Sequence, residues 1–181
     1  MGQYRLRHAL LVPSLVSWLR LPLAALFVGA ANKPEFALGL LVAAAATDMI
    51  DGWYARRFRQ ATATGAVIDG ITDKAFMATV VVTLIVNDKV DLLGALQLAT
   101  RELGEFPLIA WWALHRDRRQ ARAEDPKANA VGKLCTIFQF AAVTGLLTDA
   151  SWKPVALGAS ALMGCLAAWK YWQRELRSQQ H

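Results

Sequence analysis

Soft metal ligands are scarce in this chain, whose 181 residues hold two cysteines and three histidines. Cys135 and Cys165 each stand inside an apolar stretch, with no CxxC spacing and no histidine at ligand spacing. A disulfide framework and a zinc site are thereby excluded, and both residues read as small hydrophobes. Low-complexity sequence is absent and no internal repeat is visible. No cleavable secretory signal is expected either, because the first apolar stretch carries Arg20 and lacks a small-residue cleavage site. Acidic residues number 14 against 20 basic ones, a net charge of +6. Such a balance can mark a nucleic-acid binder, but these charges flank apolar segments instead of forming one basic face, so no nucleic-acid partner is expected.

What the chain has in abundance is apolar sequence, 55% of its residues. Several stretches approach the roughly 20 residues that a helix needs to cross a bilayer core. The pattern predicts an all-α integral membrane protein, a single domain over residues 1–181 with about six spans: Leu10 to Ala30, Phe36 to Tyr54, Gly65 to Val86, Leu92 to Leu114, Val131 to Leu147 and Val155 to Trp172. The polar stretch from His115 to Asn129, with Pro126, reads as a loop. Basic residues gather in alternate connections. Arg5 and Arg7, Arg56 to Arg59, Arg116 to Lys127, and Lys170 to Arg177 lie on one side, whereas the other side carries Lys33, Lys89 and Lys153. The excess of Lys and Arg places both termini in the cytoplasm. The same charges favour anionic headgroups of membrane lipids. Trp111, Trp112, Trp169 and Trp172 fall near cytoplasmic helix ends, where an aromatic belt is expected.

Against this background the stretch TDMIDGWYARRFRQATATGAVIDGITDK, residues 47–74, stands out for its acids. Asp48, Asp51, Gly52, Ala55 and Arg56 follow one face of a helix, and Gly65, Asp69 and Asp73 follow a face of the next. The short loop from Arg57 to Thr64 makes the two helices antiparallel neighbours, a geometry that brings four carboxylates together. Four carboxylates at close range stay ionised only with positive charge among them. Ligands that are all oxygen point to a hard cation, Mg2+ or Mn2+, and their number suits a two-metal site. Gly52, Ala55 and Gly65 leave space beside the acids, and Arg56 offers a guanidinium suited to phosphate oxygens. Two readings compete with a metal site: the acids pair with Arg20, Lys74, Arg101 or Lys133, or they carry ions or protons through the bundle. A carrier spreads its acids along a pathway, whereas these are confined to two consecutive helices.

From Asp48 to Asp73 the run reads D-x2-D-G-x2-A-R-x8-G-x3-D-x3-D. It resembles the signature of the CDP-alcohol phosphotransferases. The resemblance implies a membrane enzyme, usually a homodimer, that moves a substituted phosphate from a CDP-linked donor to an alcohol and releases CMP. It also implies that Asp48, Asp51, Asp69 and Asp73 hold the metals, that Asp73 is the general base, and that Gly52, Ala55, Arg56 and Gly65 line the cytidine diphosphate pocket. Intramembrane aromatic prenyltransferases also use aspartates and Mg2+ on a diphosphate, but they lack the D-G-x2-A-R run.

The stretch GKLCTIFQ, preceded by Arg101 and Glu102, resembles the phosphatidylglycerophosphate and cardiolipin synthase branches. On that resemblance Arg101, Lys133, Thr136 and Gln139 form the acceptor site. The donor is then CDP-diacylglycerol and the leading acceptor glycerol 3-phosphate, with phosphatidylglycerol, inositol phosphate or another alcohol as rivals. The setting is a bacterial inner membrane, with the site facing the cytoplasm. Two positions depart from the family pattern: Leu108 and Ile109 stand where glycerophosphate users often carry a further basic residue, and Gly70 replaces a frequent proline.

Overall fold

The computed structural model describes residues 12–58, 63–114 and 130–178, and all regular elements among them are helices. Residues 1–11, 59–62 and 115–129, with most of the loop arginines and the expected His115–Asn129 loop, lie outside the described residues. The chain forms two compact units, Met1–Asn87 and Asp88–His181.

The first unit contains α1 (Val12–Trp18), α2 (Arg20–Ala30), α3 (Pro34–Arg57) and α4 (Ala63–Val86). The first expected span is thus two helices, broken at Leu19. Pro22 accounts for the break, because it has no N–H to give the Trp18 carbonyl and its ring crowds that group. The chain turns more tightly there, with Leu19 N–H donating to the Val16 carbonyl at 3.1 Å, before Leu23 N–H resumes the helical pattern onto Leu19 at 3.2 Å. Pro34 then opens α3 at a position where its missing N–H costs nothing.

Buried positions follow helical spacing: Arg20, Ala24 and Phe27 on α2, Ala37, Leu40, Leu41 and Ala44 on α3, and Thr72, Phe76, Val80 and Leu84 on α4. Phe27 and Phe76 meet edge to face with centroids 6.3 Å apart. Among the described residues α3 and α4 pack mainly on α1 and α2, not on each other, which corrects the expectation of two directly adjacent helices. The α1–α2 corner sits against both, so their acidic faces are joined through a third element.

The second unit contains α5 (Leu92–Leu98), α6 (Thr100–Leu114), α7 (Ala130–Leu147) and α8 (Lys153–Ser178). Asp91 caps α5 by accepting from the Gly94 N–H at 2.9 Å. The fourth expected span is also divided, at Ala99, where the Thr100 hydroxyl donates to the carbonyls of Leu96 and Gln97. Small residues set the packing of α8. A Cβ on Gly164 would stand 3.0 Å from the Arg101 nitrogen, and one on Gly104 would collide with Ala168. Trp172 donates its indole N–H to the Gly104 carbonyl at 3.1 Å, while Trp169 is exposed. Cys135 is buried on α7 and Cys165 exposed on α8, both unpaired.

Among the described residues one helix, Pro34–Ala55, is by itself long and apolar enough to cross a membrane. Leu15–Ala30 and Leu134–Leu147 are shorter apolar helices. Large apolar side chains also face outward in quantity, for example Val42 at 68% and Val155 at 75% exposure.

Candidate active site

Asp48 and Asp51 are one turn apart near the end of α3, and Asp69 stands on the second turn of α4. One oxygen from each of the three lies within 4.8 Å of the others. Among the described residues Arg20 brings positive charge to all three, and its side chain is only 1% exposed. Its Nη2 donates to Asp48 Oδ1 at 2.8 Å and to Asp51 Oδ2 at 3.1 Å. Its Nη1 donates to Asp69 Oδ1 at 2.5 Å and reaches the Asp69 carbonyl at 3.5 Å. Ser17, on the last turn of α1, donates its hydroxyl to Asp51 Oδ2 at 2.7 Å. The kink at Leu19 lets a serine from one helix and an arginine from the next reach the same carboxylate.

The cluster is asymmetric. Asp51 and Arg20 are buried at its base, while the side chains of Asp48 and Asp69 are 53% and 41% exposed. Its donors are carboxylate oxygens, the set that a hard divalent cation prefers over a soft one. Asp73, half-buried, follows Asp69 by one turn of α4 and is not one of the three converging groups. Gly52 and Ala55 are half-buried on α3, and Gly65 is half-buried in the first turn of α4. The side chain of Arg56 lies outside the described residues. A separate cavity of about 330 Å3, lined by Val28, Val82 and Asn87 among others, lies toward the other end of α4 from the aspartates.

The second unit gathers Arg101, Thr136 and Gln139, three of the residues singled out as acceptor ligands. Arg101 donates through Nε to Glu105 at 3.1 Å and through Nη1 to the Thr136 hydroxyl at 3.0 Å. Gln139, 1% exposed, donates to the Leu98 carbonyl at 2.9 Å and to both oxygens of Glu102 at 3.1 Å. It therefore serves a carbonyl at the α5–α6 break, a structural task absent from the sequence reading. The side chain of Lys133 lies outside the described residues, as do those of Leu108 and Ile109.

Sequence reasoning named Arg20 only as one of several possible partners, and it missed Ser17 and the Glu102–Gln139 contact. A signal was present in each case: Ser17 and Arg20 are polar residues three apart in an apolar run, and Gln139 is polar among apolar neighbours.

Comparison with known proteins places the chain in a family. The family model described as CDP-alcohol phosphatidyltransferase matches residues 10–171, so the chain belongs to that family of transferases. Among individual relatives, it is 30% identical over 138 residues to the CDP-diacylglycerol–glycerol-3-phosphate 3-phosphatidyltransferase of Yersinia enterocolitica serotype O:8, covering 74% of this chain and 71% of that one. It is 39% identical over 77 residues to CDP-diacylglycerol–inositol 3-phosphatidyltransferase 1 of Arabidopsis thaliana. That match spans 41% of this chain and 34% of the relative, about a third of the relative's length.

Proposed function

We propose that the chain moves a phosphatidyl group from CDP-diacylglycerol to glycerol 3-phosphate, releasing CMP. The observation that carries this reading is the convergence of Asp48, Asp51 and Asp69 within a chain that resembles a glycerol-3-phosphate phosphatidyltransferase over 74% of its length. Asp48, Asp51 and Asp69, with Asp73, would hold Mg2+ or Mn2+, two ions per site. Bound there, the metal supplies charge stabilisation for the departing phosphate. Asp73, one turn beyond Asp69 on α4, also takes the proton from the attacking hydroxyl. Gly52, Ala55 and Gly65 leave room for the cytidine diphosphate and Arg56 neutralises its phosphates. Arg101, Lys133, Thr136 and Gln139 form the acceptor site on the same resemblance. The catalytic domain spans residues 1–181.

The setting is a membrane, crossed by six helices with both termini in the cytoplasm and the chain paired as a homodimer, in a bacterial inner membrane. The outward apolar side chains and the membrane-length helix Pro34–Ala55 support this. A second acceptor is favoured by a specific observation, the 39% identity to a relative named for inositol. Phosphatidylglycerol, the acceptor of a cardiolipin synthase, is a third. The test is CMP release by purified protein given CDP-diacylglycerol and Mg2+, with glycerol 3-phosphate, inositol, inositol phosphate or phosphatidylglycerol added singly. Release that depends on glycerol 3-phosphate alone is the expected result. Release with another acceptor alone reassigns the branch, and none with any acceptor removes the proposal.

A further inference from the structure

Among the described residues Arg20 is the largest of the fully buried side chains, and its position is unusual. It comes from the α1–α2 corner and reaches carboxylates on two other helices at once, Asp48 and Asp51 on α3 and Asp69 on α4. Three carboxylates share this one guanidinium, so the acids of the triad outnumber the cation that joins them. Arg20, bonded to all three acids, offsets the repulsion among three oxygens that lie within 4.8 Å of one another.

A brace chosen only for packing would satisfy its own donors. Arg20 Nε, in contrast, is buried with no hydrogen-bond partner among the described residues, a cost tolerated while Nη1 and Nη2 reach all three acids. Arg20 is buried together with Ser17 and Asp51, whereas Asp48 and Asp69 are partly exposed.

We propose that Arg20 is the built-in counter-cation of the aspartate triad: it keeps the carboxylates assembled before a divalent cation binds, and by repelling that cation it limits how tightly the cation is held. The proposal rests on the reading of the triad as a divalent-cation site. Arg20 is a positioning residue in this scheme, acting through the aspartates. A moderate hold on the metal suits a site that must also release a charged product.

The discriminating feature is the sign of the effect on metal binding. A structural brace and a counter-cation both predict that Arg20→Met lowers the melting temperature of the purified full chain in chelator. A brace predicts weaker Mn2+ binding in the variant, because the ligands scatter. The counter-cation predicts tighter binding, by roughly tenfold or more, because a unit positive charge a few ångströms from the ion is gone.

Mn2+ alone is titrated into wild type, Arg20→Met and Arg20→Lys, with calorimetry or the Mn2+ resonance signal as readout and melting temperature measured in parallel. The expected result is tighter Mn2+ binding and a larger Mn2+-induced rise in melting temperature for Arg20→Met. Arg20→Lys, which keeps the charge and loses the fork, stays near wild-type affinity with a lowered melting temperature in chelator. An Arg20→Met chain that folds only with Mn2+ present also supports the proposal. Weakened Mn2+ binding by Arg20→Met overturns it, as does an Arg20→Met chain that stays unfolded at saturating Mn2+. A wild-type chain whose Mn2+ binding is absent, or unchanged by Asp51→Asn, overturns the metal-site reading and the proposal with it.

Discussion

Replacing Asp51 by asparagine alters the triad at its most buried member while keeping its shape. In the native site Asp51 is 5% exposed, and one of its oxygens accepts from both Ser17 at 2.7 Å and Arg20 at 3.1 Å. The asparagine keeps an oxygen for those donors, so the bonds survive as neutral-acceptor bonds and lose their charge assistance. A hydrogen bond to a charged group contributes about 1.5–3 kcal/mol and a neutral one about 0.5–1.5, so the change costs on the order of 1–2 kcal/mol. Arg20 retains Asp48 and Asp69, which prevents the larger loss expected for an unpaired buried charge. The effect on function is far larger, because the cluster loses a third of its negative charge and one ligand. CMP release by Asp51→Asn is expected to fall by at least about a thousandfold, with a melting temperature only a few degrees below wild type. Turnover within about tenfold of wild type, in a chain with unchanged Mn2+ affinity, would refute the assignment of Asp51 as a ligand.

Other substitutions separate the remaining roles. Asp73→Asn should abolish CMP release while leaving CDP-lipid binding largely intact, and near-wild-type turnover would remove Asp73 from the mechanism. Gln139→Leu deprives the Leu98 carbonyl and Glu102 of their shared donor. It should cost about 1–3 kcal/mol in unfolding titrations of the detergent-solubilised chain, and an unchanged midpoint would argue against the brace at Ala99. Gly104→Val drives a side chain into Ala168 and should lower stability by about 1–3 kcal/mol, whereas Gly39→Ala, with open space at its Cβ position, should leave the melting temperature unchanged or slightly raised.

Helix content was legible from the residues because apolar length is a local property. The expected spans at Phe36 to Tyr54, Gly65 to Val86 and Val131 to Leu147 coincide closely with α3, α4 and α7. The breaks at Leu19 and Ala99 were not read, since an apolar count does not register where the backbone changes direction. Pro22 marked the first of them, and Thr100 and Gln139 compensate the second. The aspartates were legible for a similar reason. A carboxylate in an apolar helix is costly enough that several at helical spacing need a common explanation.

Sequence alone therefore determined the helical class, the family signature and the acids that line one face of α3 and one of α4, because spacing along a helix fixes which side chains share a face. Only the tertiary structure decided which charge balances them. Arg20 was one basic residue among several candidates, and its choice depends on the corner at Leu19 and on α3 and α4 both packing against α1 and α2. Pairing between residues 28 to 49 positions apart depends on the distance between helices, which no local spacing encodes.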